Sequence, residues 1–140
     1  MNERSIASLI EGRHVVMQPP SATVRQAVLV MTERGIGAVP VVEGRHLIGI
    51  FTERDVLTRV LAVGRDVDRT SLAEVMTRRP ETVSVDCSIQ EALEVMTEGR
   101  FRHLPVMADG TVVGVISIRD VTAALRMAGI EQIGWGAGKA

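Results

Sequence analysis

Aromatic side chains are almost absent from this chain. They make up 2% of the 140 residues, and tyrosine does not occur at all. Proteins that bind single-stranded nucleic acid usually stack the bases on aromatic rings, so this composition argues against a nucleic-acid partner. The hydrophobic residues make up 46% of the chain, and the core that they form must be aliphatic.

Cysteine, net charge and long apolar runs are also scarce. Cys87 is the one cysteine, which excludes an intrachain disulfide and fits a reducing compartment. The 16 basic and 17 acidic residues leave a formal net charge of −1, which attracts neither nucleic acid nor an anionic membrane. The sequence has no signal peptide and no apolar run long enough to span a bilayer. We expect a cytoplasmic protein with no membrane association.

Motifs for metal or covalent chemistry are missing as well. The three histidines have no metal-ligand spacing, and one cysteine cannot build a zinc site. Neither a P-loop nor a G-x-G-x-x-G fingerprint occurs. No nucleophile and base are paired in the sequence, so we predict no metal, no required cofactor and no enzymatic activity.

The chain does contain an internal repeat. Residues 21–56 align without a gap on residues 86–121, and 11 of these 36 positions are identical. Chance pairing would give roughly two or three identities. Two units of about 60 residues are each marginal for a core of their own, so we expect them to pack on one another as one pseudo-symmetric pair.

Local patterns give each repeat the order β-α-β-β-α. Thr23 and Ser88 begin capping boxes, and the apolar residues that follow have helical spacing. Gly35 and Gly99 are predicted to end these helices. Short first strands are predicted at 15–17 and 82–85. These patterns predict a first domain at 5–62, a linker at 63–70, a second domain at 71–128 and a flexible glycine-rich tail at 129–140, which contains Trp135.

Two motifs in each repeat resemble those of the CBS domain, the family named for cystathionine β-synthase. They are Val39-Pro40-Val41 with Gly49-Ile-Phe-Thr52-Glu-Arg-Asp55, and Leu104-Pro105-Val106 with Gly114-Val-Ile-Ser117-Ile-Arg-Asp120. The resemblance covers roughly residues 5–127. It implies an α/β fold of tandem CBS domains packed as a pseudo-twofold pair, similar to small bacterial proteins that consist of such a pair alone. It also implies binding of an adenosine-containing ligand and a disc-like homodimer.

The hydroxyl and carboxylate of each G-h-h-[ST]-x-x-D motif are candidate ligand groups. In the family the aspartate binds the ribose, and the hydroxyl three residues earlier binds ribose or phosphate, which by resemblance points to Thr52 with Asp55 and to Ser117 with Asp120. A helix N-terminus also attracts phosphate. The same [ST]-x-x-D spacing is a plain capping box, so these residues could serve the helices alone.

Cations and aliphatic residues complete the candidate site. Arg102 and His103 precede the second h-P-V motif, where the family often binds phosphate, whereas the first repeat has Gly37 and Ala38 there. Arg54 and Arg119 stand in the two helix-start turns, where ordinary surface arginines would also be at home. The residues expected around the adenine are Val16, Val39, Val83 and Leu104.

These features predict a regulatory module that binds AMP, ADP, ATP or NAD(H) between the repeats and thereby changes its conformation or its affinity for a partner. S-adenosylmethionine is disfavoured because Arg102 and His103 favour an anionic ligand. The alternative is a ligand-free structural or protein-interaction module, in which the two motifs only cap helices and the partner is another protein.

Overall fold

The computed structural model describes residues 5–129, so the remaining residues of the predicted tail, including Trp135, lie outside the described part. The first repeat contains α1 (Ile6–Ile10), α2 (Val24–Arg34), β1 (Ala38–Glu43), β2 (His46–Thr52) and α3 (Glu53–Asp55), which continues as a π-helical stretch over Val56–Leu61. The second contains α4 (Leu72–Val75), β3 (Thr77–Arg78), β4 (Val83–Ser84), α5 (Ile89–Gly99), β5 (His103–Ala108), β6 (Thr111–Ser117) and α6 (Ile118–Met127).

Two three-stranded sheets carry the two repeats. Their strand orders are β1-β2-β3 and β4-β5-β6, and the antiparallel pairs β1–β2 and β5–β6 have the same register in both repeats, including an irregularity at Val41/Val42 and at Val106/Met107. Each sheet has its own core, and these cores are aliphatic, as the composition predicts, apart from the buried ring of Phe51 in the first repeat. The predicted α/β class and the paired-repeat architecture are confirmed.

The prolines of the two h-P-V motifs lie where a missing N–H is tolerated. Pro40 is in β1, which is at the edge of its sheet. Pro105 is in β5, which is central, but the parallel pairing with β4 begins only at Val106. The expectation of an edge position is therefore met in the first repeat, and in the second the proline precedes the doubly paired part of the strand.

Helix ends follow the predicted caps with one exception. Thr23 and Ser88 both form complete capping boxes, and Gly35 ends α2 in the left-handed conformation with φ 66°. Gly99 was expected to end α5 in the same way, but it is the last helical residue, and Arg100 adopts the left-handed conformation with φ 59°. A Cβ atom on Gly99 would lie 2.0 Å from the ring of Phe101, so close packing explains this glycine.

The two repeats exchange their leading segments, which we define as residues 5–13 and 71–79. Ile6 of the first segment is fully buried in the core of the second repeat, and Leu72 of the second segment is fully buried in the core of the first. Backbone bridges support the exchange, since Ser5 pairs with Ser88 and Thr23 pairs with Ser71. The core of each repeat is therefore completed by the leading segment of the other repeat.

This exchange explains the glycines that open the G-h-h-[ST]-x-x-D motifs. A Cβ atom on Gly49 would lie 2.5 Å from Sδ of Met76 and 2.9 Å from the backbone oxygen of Thr77. A Cβ atom on Gly114 would lie 2.9 Å from the side chain of Ile10. Both glycines thus leave room for the leading segment that crosses them.

The first strands of the repeats differ from their prediction. Val83–Ser84 forms β4 within the predicted segment 82–85. The predicted strand at 15–17 is wrong, because these residues pair with no strand and only Gln18 forms a bridge, to Val41. Two prolines follow Gln18 and carry no N–H, so a ladder cannot continue along the chain there.

The segment predicted as the linker, 63–70, is fastened to the first repeat. The backbone oxygens of Val67 and Thr70 accept hydrogen bonds from the first two amides of α2, at Arg25 and Val24. The guanidinium of Arg25 also makes a forked contact with the carboxylate of Asp68. These bonds satisfy helix N-terminal donors that would otherwise lack a partner.

Candidate functional site

A cleft of about 940 Å³ opens between the two repeats. Its walls come from the first leading segment, from α2 and the start of β1, and from the starts of β5 and α6. The volume lies within the range typical of small-molecule sites. The residues that line the cleft include Arg13, His14, Val16, Val28, Ile36, Gly37, Glu53, Arg102, His103, Ser117, Arg119 and Asp120.

Ser117 and Asp120 lie on the cleft wall where β6 leads into α6. The Asp120 carboxylate accepts a hydrogen bond of 2.8 Å from the Ser117 amide, and the Ser117 hydroxyl accepts one of 3.0 Å from the Asp120 amide. This is a complete capping box. The Asp120 side chain nevertheless keeps 25% of its surface exposed, so capping leaves the carboxylate accessible from the cleft.

Arg13 makes a forked ion pair with Asp120. Its Nη1 and Nη2 atoms lie 3.3 and 3.2 Å from Oδ2 and Oδ1 of the carboxylate. Burial raises the pKa of Asp120, but the hydrogen bonds from Arg13 and from the Ser117 amide outweigh it, and the net effect lowers the pKa. Our sequence reasoning missed Arg13, because nothing in the local pattern signals a partner 107 positions away.

Arg102, His103 and Arg119 also line the cleft, as the sequence suggested. The Ile118 amide donates a 2.8 Å hydrogen bond to the backbone oxygen of Arg102, which ties the start of β5 to the start of α6. The cations and the Ser117–Asp120 motif are therefore held on neighbouring strand and helix ends of the second repeat.

His103 packs against the first repeat at Gly37. A Cβ atom on Gly37 would lie 3.0 Å from Nε2 of His103 and 3.1 Å from Oε1 of Glu53, so the glycine allows this approach. Burial lowers the pKa of His103, and Arg102 lowers it further, while Glu53 and Asp120 act in the opposite direction. The lowered pKa favours the neutral imidazole, and the permanent positive charge in the cleft comes from arginine.

The predicted aliphatic residues are divided between the cleft and the cores. Val16 lines the cleft, together with Val28 and Ile36. Val39 is buried in the core of the first repeat, and Leu104 and Val83 are buried in the core of the second. None of these three residues lines the cleft.

The motif of the first repeat has different surroundings. Thr52, Arg54 and Asp55 do not line the described cleft. Asp55 is 4% exposed, and its Oδ2 accepts hydrogen bonds from the amide and the hydroxyl of Thr52. Its Oδ1 accepts one of 3.3 Å from the Thr77 hydroxyl and lies 3.5 Å from Nε of Arg59.

Arg59 extends this network to the second leading segment. It stands in the π-helical stretch and donates a 2.9 Å hydrogen bond to the backbone oxygen of Met76. Asp55 and Arg59 together therefore hold the start of the second repeat against the first. In this repeat the [ST]-x-x-D motif has the geometry of a buried cap and a packing contact.

Within residues 5–129 no three side chains of the metal-binding types come together, and no helix is both long and apolar enough to cross a membrane.

Comparison with known proteins agrees with this fold. The family model of the CBS domain matches residues 13–62 and 72–127, and the chain belongs to this family. CBS domains are regulatory modules.

Among the relatives, the chain is 38% identical over 108 residues to the mitochondrial CBS domain-containing protein CBSX3 of Arabidopsis thaliana. It is 32% identical over 102 residues to the CBS domain-containing protein YhcV of Bacillus subtilis. These alignments cover 74% and 73% of this chain, and 52% of CBSX3 and 72% of YhcV. Of the longer Arabidopsis relative CBSCBSPB5 the chain spans only 23%.

Solved structures show the same architecture. A CBS-domain containing protein from Agrobacterium tumefaciens has a TM-score of 0.78 at 34% identity, covering 86% of this chain and 98% of that one. CBSX2, solved in complex with AMP, has a TM-score of 0.72 at 22% identity, covering 89% of this chain and 98% of that one. The latter similarity shows the fold alone.

Proposed function

We propose that this protein binds an adenosine-containing nucleotide in the cleft between its repeats and that binding regulates its conformation or its affinity for a partner. The observation that carries the proposal is the composition of one cleft: an accessible helix-cap carboxylate, Asp120, faces the same space as Arg102 and Arg119 and as the aliphatic side chains of Val16 and Val28. These groups match a ribose, a phosphate and a purine, respectively.

Charge selects among the adenosine-containing ligands. Three arginines, Arg13, Arg102 and Arg119, and two carboxylates, Glu53 and Asp120, line the cleft, so these five groups carry one excess positive charge. An anionic nucleotide such as AMP, ADP, ATP or NAD(H) suits this balance, and cationic S-adenosylmethionine does not. Because CBSX2 was crystallised with AMP, AMP is the first compound to test.

We assign the nucleotide to the second repeat's motif and not to that of the first. A ribose diol needs free acceptor positions on the carboxylate. Asp120 is partly exposed to the cleft, whereas Asp55 is buried and bonded to Thr52 and Thr77. One nucleotide per chain is the expected stoichiometry.

Exposed apolar side chains support self-association. Leu61, in the π-helical stretch, is 57% exposed and Val63 is 63% exposed, whereas Leu57, which is 61% exposed, lines the cleft. A second copy of the chain or another protein would cover such groups, and we favour the homodimer that the family resemblance implies. The proposal gives the cleft a binding role and no catalytic one, and a cytoplasmic location stays a prediction.

The second candidate function is a protein-interaction module that binds no ligand. The observation in its favour is that both [ST]-x-x-D motifs form complete capping boxes and that Asp120 already has a partner in Arg13. Under this alternative the cleft takes up no nucleotide, and the exposed leucines provide the function.

Calorimetric titration of the purified protein with AMP, ATP, NADH and S-adenosylmethionine tests the two candidates. We expect binding of the anionic compounds and none of S-adenosylmethionine. Asp120→Asn keeps the size of the side chain and a cap acceptor but removes the charge, and losing charged hydrogen bonds should weaken AMP binding about 10- to 100-fold. Asp55→Asn is the matched control at the other motif and should leave affinity unchanged.

No heat from any nucleotide, with folded protein, would reject the sensor and favour the interaction module. An equal loss of affinity in Asp55→Asn and Asp120→Asn would instead show that the assignment to the second repeat is wrong.

A further inference from the structure

Arg13 blocks the face of Asp120 that a ribose would need. Oδ1 accepts from Nη2 of Arg13, and Oδ2 accepts from both Nη1 of Arg13 and the Ser117 amide. A ribose binds a carboxylate through two neighbouring hydroxyls, which donate to its two oxygens. The forked guanidinium uses the same pair of oxygens, so both cannot be held by one carboxylate edge.

The ion pair between Arg13 and Asp120 can separate without a change in the fold. The side chain of Arg13 is 48% exposed and that of Asp120 is 25% exposed, and an ion pair at this level of solvation is weak. The backbone around Arg13 is better anchored, because Ile6 is buried in the core of the second repeat and Ile10 packs on Gly114. Opening the pair therefore needs a movement of the Arg13 side chain and no movement of the fold.

We infer that Arg13 is a specificity-determining residue that makes the cleft prefer nucleotides over nucleosides; this inference rests on the proposed function. A nucleoside must separate Arg13 from Asp120 and offers the released guanidinium nothing in return. A nucleotide must separate the same pair, but its phosphate accepts the forked hydrogen bonds of the released side chain. Arg13 thus opposes the ribose and favours the phosphate.

The experiment is calorimetric titration of wild-type protein, Arg13→Gln and Arg13→Lys with adenosine, AMP and ATP. In Arg13→Gln we expect adenosine to bind about two- to fivefold more tightly, because an exposed competing ion pair is gone. AMP and ATP should bind less tightly than to wild type, because a charged phosphate partner is lost. The two effects move in opposite directions, which a purely structural role for Arg13 would not produce.

Arg13→Lys distinguishes the forked contact of the guanidinium with Asp120 from the effect of the positive charge alone. Lysine keeps a cation for the phosphate but cannot make the forked contact with Asp120, so AMP affinity should be largely kept while adenosine binds more tightly than to wild type. Arg79→Gln is the matched control, since Arg79 is an exposed arginine at the end of the other leading segment and does not line the cleft. It should change neither affinity.

Weaker binding of adenosine and AMP by the same factor in Arg13→Gln would overturn the inference and leave the proposed function standing, because Arg13 would then be an ordinary ligand contact. Unchanged affinities in Arg13→Gln would overturn it in the same way. Absence of binding of all three compounds to wild-type protein would overturn both, since the cleft would have no nucleotide to select.

Discussion

The two aspartates of the repeated motif should separate into one that stabilises the fold and one that binds ligand. The test compares Asp55→Ala with Asp120→Ala, which remove the same side chain from the same capping-box position. Each variant loses the N3 carboxylate of a capping box, which accepts from the amide of Thr52 or Ser117, at a cost of about 1 kcal/mol in the free energy of unfolding. The surroundings of the two carboxylates then decide what is lost in addition.

At Asp55 the further loss is large. The side chain is buried, and its removal leaves the half-buried Thr77 hydroxyl without its acceptor, whereas Arg59, whose side chain is 49% exposed, becomes solvated as Arg13 does. The Thr77 hydroxyl without its acceptor and the space left by the buried carboxylate cost a further 1–3 kcal/mol or so. We therefore expect Asp55→Ala to lower the free energy of unfolding by about 2–4 kcal/mol.

At Asp120 the further loss is small. Its remaining partner, Arg13, is half exposed and becomes solvated when the carboxylate is removed. An exposed ion pair adds less than about 1 kcal/mol, so Asp120→Ala should cost about 1–2 kcal/mol in total. The order should be reversed for the nucleotide, because Asp120 lines the cleft and Asp55 does not.

Urea unfolding followed by far-ultraviolet circular dichroism measures the first quantity, and titration with AMP measures the second. With a slope of about 2 kcal/mol per molar urea, Asp55→Ala should shift the midpoint by about 1–2 M and Asp120→Ala by about 0.5–1 M. A midpoint shift in Asp120→Ala equal to or larger than that in Asp55→Ala would refute the assignment of Asp55 to a packing role, whatever the binding data show.

Three further predictions concern the fold around the cleft. Gly49→Ala should lower the free energy of unfolding by about 1–3 kcal/mol in urea titrations, because its Cβ would meet the backbone of Thr77, which cannot rotate away; an unchanged midpoint would contradict this packing. Ile6→Ala should cost about 2–4 kcal/mol, since this fully buried side chain completes the core of the second repeat, and a cost below 1 kcal/mol would argue against the exchanged segments. Burial lowers the pKa of His103 below its ordinary value of 6.5, so the unfolded chain takes up the proton first and stability falls as the pH drops below about 6.5. The melting temperature of the wild-type protein should therefore fall between pH 7.5 and 5.5, and that of His103→Gln should fall less. An equal fall in both proteins would count against a neutral, buried imidazole.

Much of the fold could be predicted because its signals are local. The capping boxes at Thr23 and Ser88 and the glycine at Gly35 involve residues within four positions of one another, and each was found where the pattern placed it. The strand predicted at 15–17 failed because a strand needs a partner along its length and these residues have none; pairing begins at Gln18, and the prolines that follow confine it to one bridge. Gly99 was misassigned because the ring of Phe101, and not a left-handed turn, requires a glycine there.

The candidate site could be predicted only in part. Ser117, Asp120, Arg102 and His103 were suggested by the repeated motif and by the difference between the two copies, and all of them line the cleft. Arg13 could not be predicted, because its contact with Asp120 arises only when the leading segment crosses to the other repeat.

The sequence by itself determined the aliphatic core, the paired repeats and the capped helices, because composition and short-range spacing control these features. Only the tertiary structure decided that Asp120 faces the cleft while Asp55 is closed in by Thr77 and Arg59. The two motifs are locally alike, and a carboxylate's role depends on which distant side chains reach it. The distant neighbours, Thr77 at Asp55 and Arg13 at Asp120, are brought in by the exchange of the leading segments, which no spacing within one repeat encodes.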